Sequence, residues 1–514
     1  MPKKKPKHLV ILEINDTHGY AWPYDENNKG GEIGGFARIA TIVNEVKNEA
    51  KANNWDFLFL HAGDVTIGMP ESDLFNAEPD ILALNMMELD AMTIGNHEFD
   101  NPMSVILKQI KLANFPVISA NIKHQTTNEN FLMPYLIKNF SDMKVAILGL
   151  TTKTTEYTAN PATVKDIDFI SPSEIAKKYI PQLKEMIGQE GIVVVLGHLG
   201  IIGFEENTCD GSDDSIQKIK QNDKPHDPYG GSVSLAQSVP GIDIIIDGHT
   251  HTVLTSPLKI NNTLIIQAGA YSRYLSRIDL EILNKKIINY QYKLIPIDGR
   301  ISSEIDIQDL LTPYYQESAY RLNEIVGYSY IDFENTNDAT RKFDTLIGHL
   351  VTDAIMWKVS ATENVQAALI DGGRIRTGLS AGNISYRNLL RTLPFGDRIV
   401  ILKIKGVDLL ETIEWGAIYH PRNSGARLNS CGLNYTIENN EVKNMLISEN
   451  NIEPNSIYTI AVNDYIANGG DNYAMLKKAI QYNTNYLLVD ALKEYIKEIT
   501  PIKSYHFKQR WTEK

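Results

Sequence analysis

The sequence predicts an α/β protein of two domains, and three observations carry that expectation. At 514 residues the chain is too long for a single hydrophobic core. From His8 to about Ile297, short apolar runs alternate with amphipathic helical stretches, the pattern of a layered α/β domain built on a pair of mixed sheets. A helical segment, Ser303–Asn323, then separates this half from a differently patterned second α/β half beginning near Val326.

Taken in order, Leu9–Ile14 reads as a buried strand. Gly35–Ala50 carries Phe36, Ile39, Ala40, Val43 and Val46 at helical spacing. Phe57–His61, Ala91–Ile94, Lys144–Leu150, Ile192–Leu196, Ile242–Ile246 and Leu264–Ala268 read as further buried strands. Leu275–Leu283 and Lys286–Ile295, joined by a turn at Asn284–Lys285, form an antiparallel pair that closes the domain. Phe204–Gly230 breaks the rhythm. Rich in Asp, Glu, Lys, Asn and Gly, it is expected to be an inserted surface loop. Its Asp210-Gly211-Ser212-Asp213-Asp214 run misplaces the Gly and the terminal Glu that a calcium loop needs. In Ser303–Asn323 the apolar face is Ile305, Ile307, Leu310, Leu311 and Tyr314. The expected division is therefore a domain at 1–302, a linker helix at 303–325 and a second domain at 326–514.

Composition narrows the function. Hydrophobic content of 43% and charged content of 22% are ordinary for a soluble globular protein. A net charge of −13 argues against a grip on nucleic-acid polymers, which needs a basic face. No run of about 18 apolar residues is present to span a membrane. The basic start, Met1–Lys7, looks like the head of a leader, but only Leu9–Leu12 follows before Glu13, and a leader needs roughly 7–15 apolar residues. The expectation is a cytoplasmic protein, or a periplasmic or secreted one if a leader was removed. Cys209 and Cys431 fit no zinc-ribbon spacing, and two free thiols are expected.

The chemistry lies at strand ends. Asp16-x-His18, Gly63-Asp64, Gly95-Asn96-His97-Glu98 with Asp100 beyond it, Gly197-His198 and Gly248-His249-Thr250-His251 each follow an apolar run. Residues at the ends of consecutive strands of one sheet converge on one point. One His after a strand is ordinary, but five such motifs are not, since Asp, His and Asn are poor strand formers. The adjoining glycines let the backbone turn tightly and approach an ion. Three Asp, one Asn and five His make a metal site by composition, suited to two divalent ions.

The second half adds Arg341-x-x-Asp344-x-x-x-Gly348-His349, Asp371-Gly372-Gly373-Arg374-Ile375-Arg376 after the apolar run Ala367–Ile370, Leu393-Pro394-Phe395-Gly396-Asp397, and Tyr465-Ile466-Ala467-Asn468-Gly469-Gly470-Asp471. With these in place the chain resembles, over nearly its whole length, the 5′-nucleotidase family of two-domain metallophosphatases, whose first domain is a calcineurin-like phosphoesterase. The resemblance implies a four-layer αββα metallophosphoesterase sandwich, a linker helix and an α/β substrate-binding domain. It implies that Asp16, His18, Asp64 and His251 hold one ion, and that Asp64, Asn96, His198 and His249 hold the other. A carboxylate shared in this way screens two cations held about 3.5–4 Å apart. Imidazole and carboxylate ligands suit Mn, Zn, Fe, Co or Ni, and ligand type does not choose among them.

By the same resemblance His97 is the catalytic His, oriented by Asp100. Arg376 and Arg341 face the phosphate, Phe395 and Tyr465 sandwich the nucleobase, and Asp471 binds ribose hydroxyls. Asp371 belongs to the substrate-binding set but replaces the family's Asn. Arg374 replaces a Gly, and Asp397 stands where some relatives carry Asn. An anion at Asp371 needs a partner, for which Arg374 or Arg341 is at hand. The implied activity is metal-dependent hydrolysis of nucleoside 5′-monophosphates. The alternatives are a 2′,3′-cyclic nucleotide phosphodiesterase or UDP-sugar hydrolase on the same scaffold, or a binding protein that has lost catalysis.

Overall fold

The computed structural model describes residues 5–25, 31–188, 191–202, 208–210, 212, 215, 217, 219, 228–334, 336–418 and 425–513. The chain divides into two compact units, Met1–Ala159 with Thr163–Gln316, and Asn160–Ala162 with Glu317–Lys514.

The first unit is built on two six-stranded sheets. In one, Lys7–Ile14, Asp56–His61, Ala91–Thr93 and Val117–Ile118 run parallel in that order, and the hairpin Tyr274–Leu283 and Lys286–Pro296 adds antiparallel to the free side of Lys7–Ile14. In the other, Thr263–Ile266, Ile244–Ile246, Ile192–His198 and Lys144–Thr151 run parallel, flanked by antiparallel Leu258–Ile260 and Tyr135–Asn139. At the hairpin turn Asn284 and Lys285 both take positive φ, 50° and 61°. A two-residue turn needs that to match the twist of its strands.

Strand alternation sorts the side chains into layers. Leu9, Ile11, Leu58 and Leu60 from one sheet meet Val145, Ile147, Val194, Leu196, Ile244 and Ile246 from the other in a shared core. The alternate residues Val10, Leu12 and Ile14 face Phe36, Ile39, Val43 and Val46 of the helix Phe36–Asn53. Ala146, Leu148, Val193, Val195 and Ile245 face Ile175, Ile180 and Leu183 of the helix Pro172–Ile187. The result is helix, sheet, sheet, helix, the four-layer sandwich expected. Strands covered on both faces require continuous apolar runs, which is why the sequence carries them.

The expected inserted loop at Phe204–Gly230 lies mostly outside the described residues. Within it, Thr208–Cys209 is a short strand pairing parallel with Val253–Leu254, and Ile219 is buried in the adjoining core. Cys209 and Cys431 are free thiols. The helix expected at Ser303–Asn323 forms as Ile305–Leu322, and its Ile307 and Leu311 bury in the first unit's core. Trp22 Nε1 donates to Leu311 O at 3.3 Å.

The second unit centres on a five-stranded sheet ordered Leu428–Cys431, Ala367–Asp371, Ile457–Asn463, Arg398–Lys405, Ile480–Leu487. The helices Leu346–Ser360 and Leu488–Ile499 cover one face, while Gly406–Ala417 packs on the other. Here too a loop that carries candidate chemistry leaves the end of a buried strand, at Asp371.

Among the described residues no helix is long and apolar enough to cross a membrane.

Candidate active site

The strand-end motifs of the first unit converge. His251 Nε2 lies 3.3 Å from Asp16 Oδ1, and His18 Nε2 lies 3.9 Å from both Asp16 Oδ1 and Asp64 Oδ2. His198 Nε2 lies 3.1 Å from Asp64 Oδ2. Asn96 Oδ1 sits 3.2 Å from His198 Nε2 and 2.9 Å from His249 Nδ1, so His249 joins the group through Asn96. Three overlapping sets, Asp16/His18/His251, His18/Asp64/His97 and Asp16/Asp64/His198, each bring donor atoms within 4.8 Å of one another. Asp64 belongs to two of them. Asp16, His18, Asp64 and His198 are buried.

The backbone carries strain at these positions. Asp16, His18, Asp64, His249 and His251 all adopt left-handed conformations, with φ of 48°, 48°, 57°, 83° and 55°. Each costs a non-glycine residue roughly 1–3 kcal/mol, and such strain persists where the surroundings over-determine it. Glycines admit the close approach. A Cβ at Gly95 would fall 2.1 Å from Asp64 Oδ1, and one at Gly248 would fall 2.7 Å from Asp16 Oδ2.

Each imidazole is aimed by its other nitrogen. His198 Nδ1 donates to Ala62 O at 2.7 Å, and His18 Nδ1 donates to Ile67 O at 2.9 Å, leaving both Nε2 atoms toward the carboxylates. Backbone carbonyls fix metal-binding histidines in this way. Asp16 accepts from Asn15 Nδ2 at 2.6 Å and from His249 N at 2.9 Å. His97 N donates to Asp64 Oδ1 at 2.9 Å, and His97 Nδ1 lies 2.6 Å from Asp100 Oδ2. The 3-10 turn His97–Asp100 brings those two side chains together.

The local field favours a cation. Burial works against a charge on His198, yet Asp64 and Asp16 raise it to about 10. Burial also opposes the charge on Asp16, but His198 and His251 hold its carboxyl down at about 2. Burial keeps His249 neutral, at about 3. Carboxylates that retain a proton on a buried imidazole attract a dication by the same Coulomb force. Two buried carboxylates, an amide oxygen and oriented imidazoles fit divalent metal ions by donor chemistry.

In the second unit a different cluster forms around Arg374. Its guanidinium carbon lies 3.6 Å from the Tyr465 ring centroid and 4.2 Å from that of Phe395. Arg376 approaches Phe395 at 5.9 Å, and Asp471 Oδ1 accepts from Tyr465 Oη at 3.1 Å. Asp371 is buried and accepts from Asn463 Nδ2 at 3.0 Å. Burial pushes its carboxyl well up, and Arg374 only partly offsets this. Arg341 ends the 3-10 turn Thr336–Arg341, whose backbone abuts Gly372. Asp344 and His349 of the same motif pair with each other, His349 Nε2 lying 2.7 Å from Asp344 Oδ1.

Two family models match the chain: calcineurin-like phosphoesterase over residues 9–253 and the 5′-nucleotidase C-terminal domain over 323–478. A 5′-nucleotidase of Vibrio parahaemolyticus is 30% identical over 513 residues, covering 96% of this chain and 90% of the relative. The chain belongs to the 5′-nucleotidase family. Protein UshA of Escherichia coli is also 30% identical, over 97% of this chain and 92% of that one. A solved structure of a 5′-nucleotidase precursor from Thermus thermophilus superposes with a TM-score of 0.82 over 98% of this chain and 99% of that one. At 23% identity, that likeness speaks for the fold. As a member of the 5′-nucleotidase family the chain is a phosphoric ester hydrolase, and its metallophosphatase domain implies divalent metal ions.

Four residues to which sequence reasoning gave no role hold the family's first-unit motifs in place. Glu98 accepts from the backbone N–H of Val65 and Gly95 at 2.7 Å each and of Asp64 at 3.2 Å, fastening two loops together. Asp247 Oδ1 accepts from Leu199 N at 2.8 Å, and Gln267 accepts from Thr252 N at 2.7 Å while donating to Gly248 O. Asn15 ties Asp16 to the 268–269 backbone. Glu98 lay inside a quoted motif. The other three carry no local signal, because only the folded chain brings their partners near.

Proposed function

We propose that the chain hydrolyses nucleoside 5′-monophosphates to nucleoside and phosphate. Asp16, His18, Asp64 and His251 would hold one divalent ion, and Asp64, Asn96, His198 and His249 would hold a second. The observation that carries this is Asp64 Oδ2, which faces His198 at 3.1 Å and His18 at 3.9 Å, a carboxylate set to serve two sites. When bound, the ions supply Lewis-acid activation of water and neutralise phosphoryl charge.

The protein's own groups do the rest. His97 Nδ1 lies 2.6 Å from Asp100 Oδ2, a contact that fixes the ring to stabilise charge on the phosphoryl oxygens or to serve the leaving 5′-oxygen as general acid. Asn96 and the backbone around it add fixed dipoles where equatorial charge grows. In the second unit, Arg341 and Arg376 bind phosphate with planar, permanently charged forks. Phe395 and Tyr465 stack the base, while Asp371 and Asp471 hydrogen-bond the nucleoside. Protein chelated and reloaded with Mn or Zn, then offered AMP, UDP-glucose and 2′,3′-cyclic AMP with released phosphate measured, tests the reading. It predicts the highest kcat/KM on AMP. Preferred turnover of UDP-glucose or the cyclic nucleotide would overturn it.

A further inference from the structure

We propose that Arg374 is a specificity-determining residue: its guanidinium fills the slot between the Phe395 and Tyr465 rings, and a base enters by displacing it. This rests on the reading above that the two rings receive the base.

The geometry leaves one layer. With the guanidinium carbon 3.6 Å from one ring centroid and 4.2 Å from the other, both aromatic faces are in van der Waals contact with a single planar group. A nucleobase is also one planar layer and needs similar stacking distances. The slot therefore holds either the guanidinium or a base, not both.

The occupant is well held. Arg374 is 5% exposed and closes the 3-10 turn Gly372–Arg374, directly after the buried strand end Asp371. Its Nη1 lies 3.7 Å from Asp397 Oδ1, and its charge is also felt by Asp371 and Asp464. A cation between two π faces, ringed by carboxyl groups, is stabilised by quadrupole and Coulomb attraction together.

The consequence is a tax on base binding. If the open slot is a minor state, the apparent affinity for any base-bearing ligand falls by the fraction open. A phosphate ester without a base escapes it. The discriminating quantity is thus the ratio of KM for AMP to KM for ribose 5-phosphate, measured on the metal-loaded enzyme. Arg374→Gly is expected to lower that ratio by about tenfold. A ratio that stays put or rises overturns the inference, a rise meaning that the guanidinium serves as one wall of the base site.

Removing a buried charge next to Asp371 threatens folding, so Asp371→Asn/Arg374→Gly, which removes the facing carboxyl together with the guanidinium, is measured alongside and is expected to show the same fall. Phe395→Ala and Tyr465→Ala separate the two claims. If neither raises the ratio, the base does not stack there and the underlying reading fails. If they raise it while both Arg374 variants leave it unchanged, only the present inference fails.

Discussion

The two candidate sites solve opposite problems. In the first unit Asp16, His18, Asp64 and His198 are buried, several are tied to backbone partners, and five positions are strained into left-handed conformations. That geometry is fixed before any ligand arrives, as transition-state stabilisation in a dry site requires. In the second unit the cluster is made of planar side chains around a guanidinium, with Phe395 and Arg376 only half buried. On the proposed reading, hydrolytic chemistry sits on strained strand ends, while recognition is left to planar side chains.

The largest effect that would break this contrast is expected at Asp64. Asp64→Asn keeps the shape but removes the shared charge, and kcat/KM for AMP should fall at least about a thousandfold. A loss below tenfold would mean the cluster is not the hydrolytic centre. Next comes His97→Asn, expected to lower kcat by about 10²–10⁴ while metal content, read by elemental analysis, stays near that of the parent. Metal loss equal to that of Asp64→Asn would instead make His97 a ligand.

A buried acid beside the first unit's core sharpens the picture of pre-set geometry. Asp80 is fully buried, accepts from Ser72 Oγ, and has an Oδ1 without a hydrogen-bond partner. Burial raises its carboxyl from 3.8 to about 7. The folded state then holds a proton that the unfolded chain releases near pH 4, so the stability is fully present below that and declines as pH rises toward 7. Asp80→Asn should remove this decline, worth up to ~4 kcal/mol by linkage, in denaturant titrations at pH 4 and pH 8. Parallel pH profiles for parent and variant would contradict it.

The smallest effect belongs to the recognition side. Phe395→Ala and Tyr465→Ala should each raise KM for AMP by about tenfold, in keeping with roughly 1–3 kcal/mol per stacked base, with kcat far less affected. A fall in kcat as large as that of His97→Asn would erase the division of labour between the two clusters.

Much of this was legible because strands buried on both faces demand long apolar runs. Leu9–Ile14 and Lys144–Leu150 could hardly be anything else, and the polar residues that end such runs stand out by contrast. Strand limits were less readable: Ile242–Ile246 pairs only over Ile244–Ile246, since ladder hydrogen bonds depend on where the neighbours begin. Short edge strands such as Tyr135–Asn139 are half buried and owe their form to Lys144–Thr151 alongside. The bracing of the site by Asp247 and Gln267 spans loops that meet only on folding. The guanidinium between two rings was equally hidden. The sequence marked Arg374 as a departure, but the choice of partner is made by tertiary geometry.

The central claim is that Asp64 joins two metal sites. Manganese titration of the chelated protein, followed by electron paramagnetic resonance, tests it most directly. The account predicts two ions per chain with an exchange-coupled signal, lost in Asp64→Asn. Two magnetically isolated ions, or saturation at one, would contradict it.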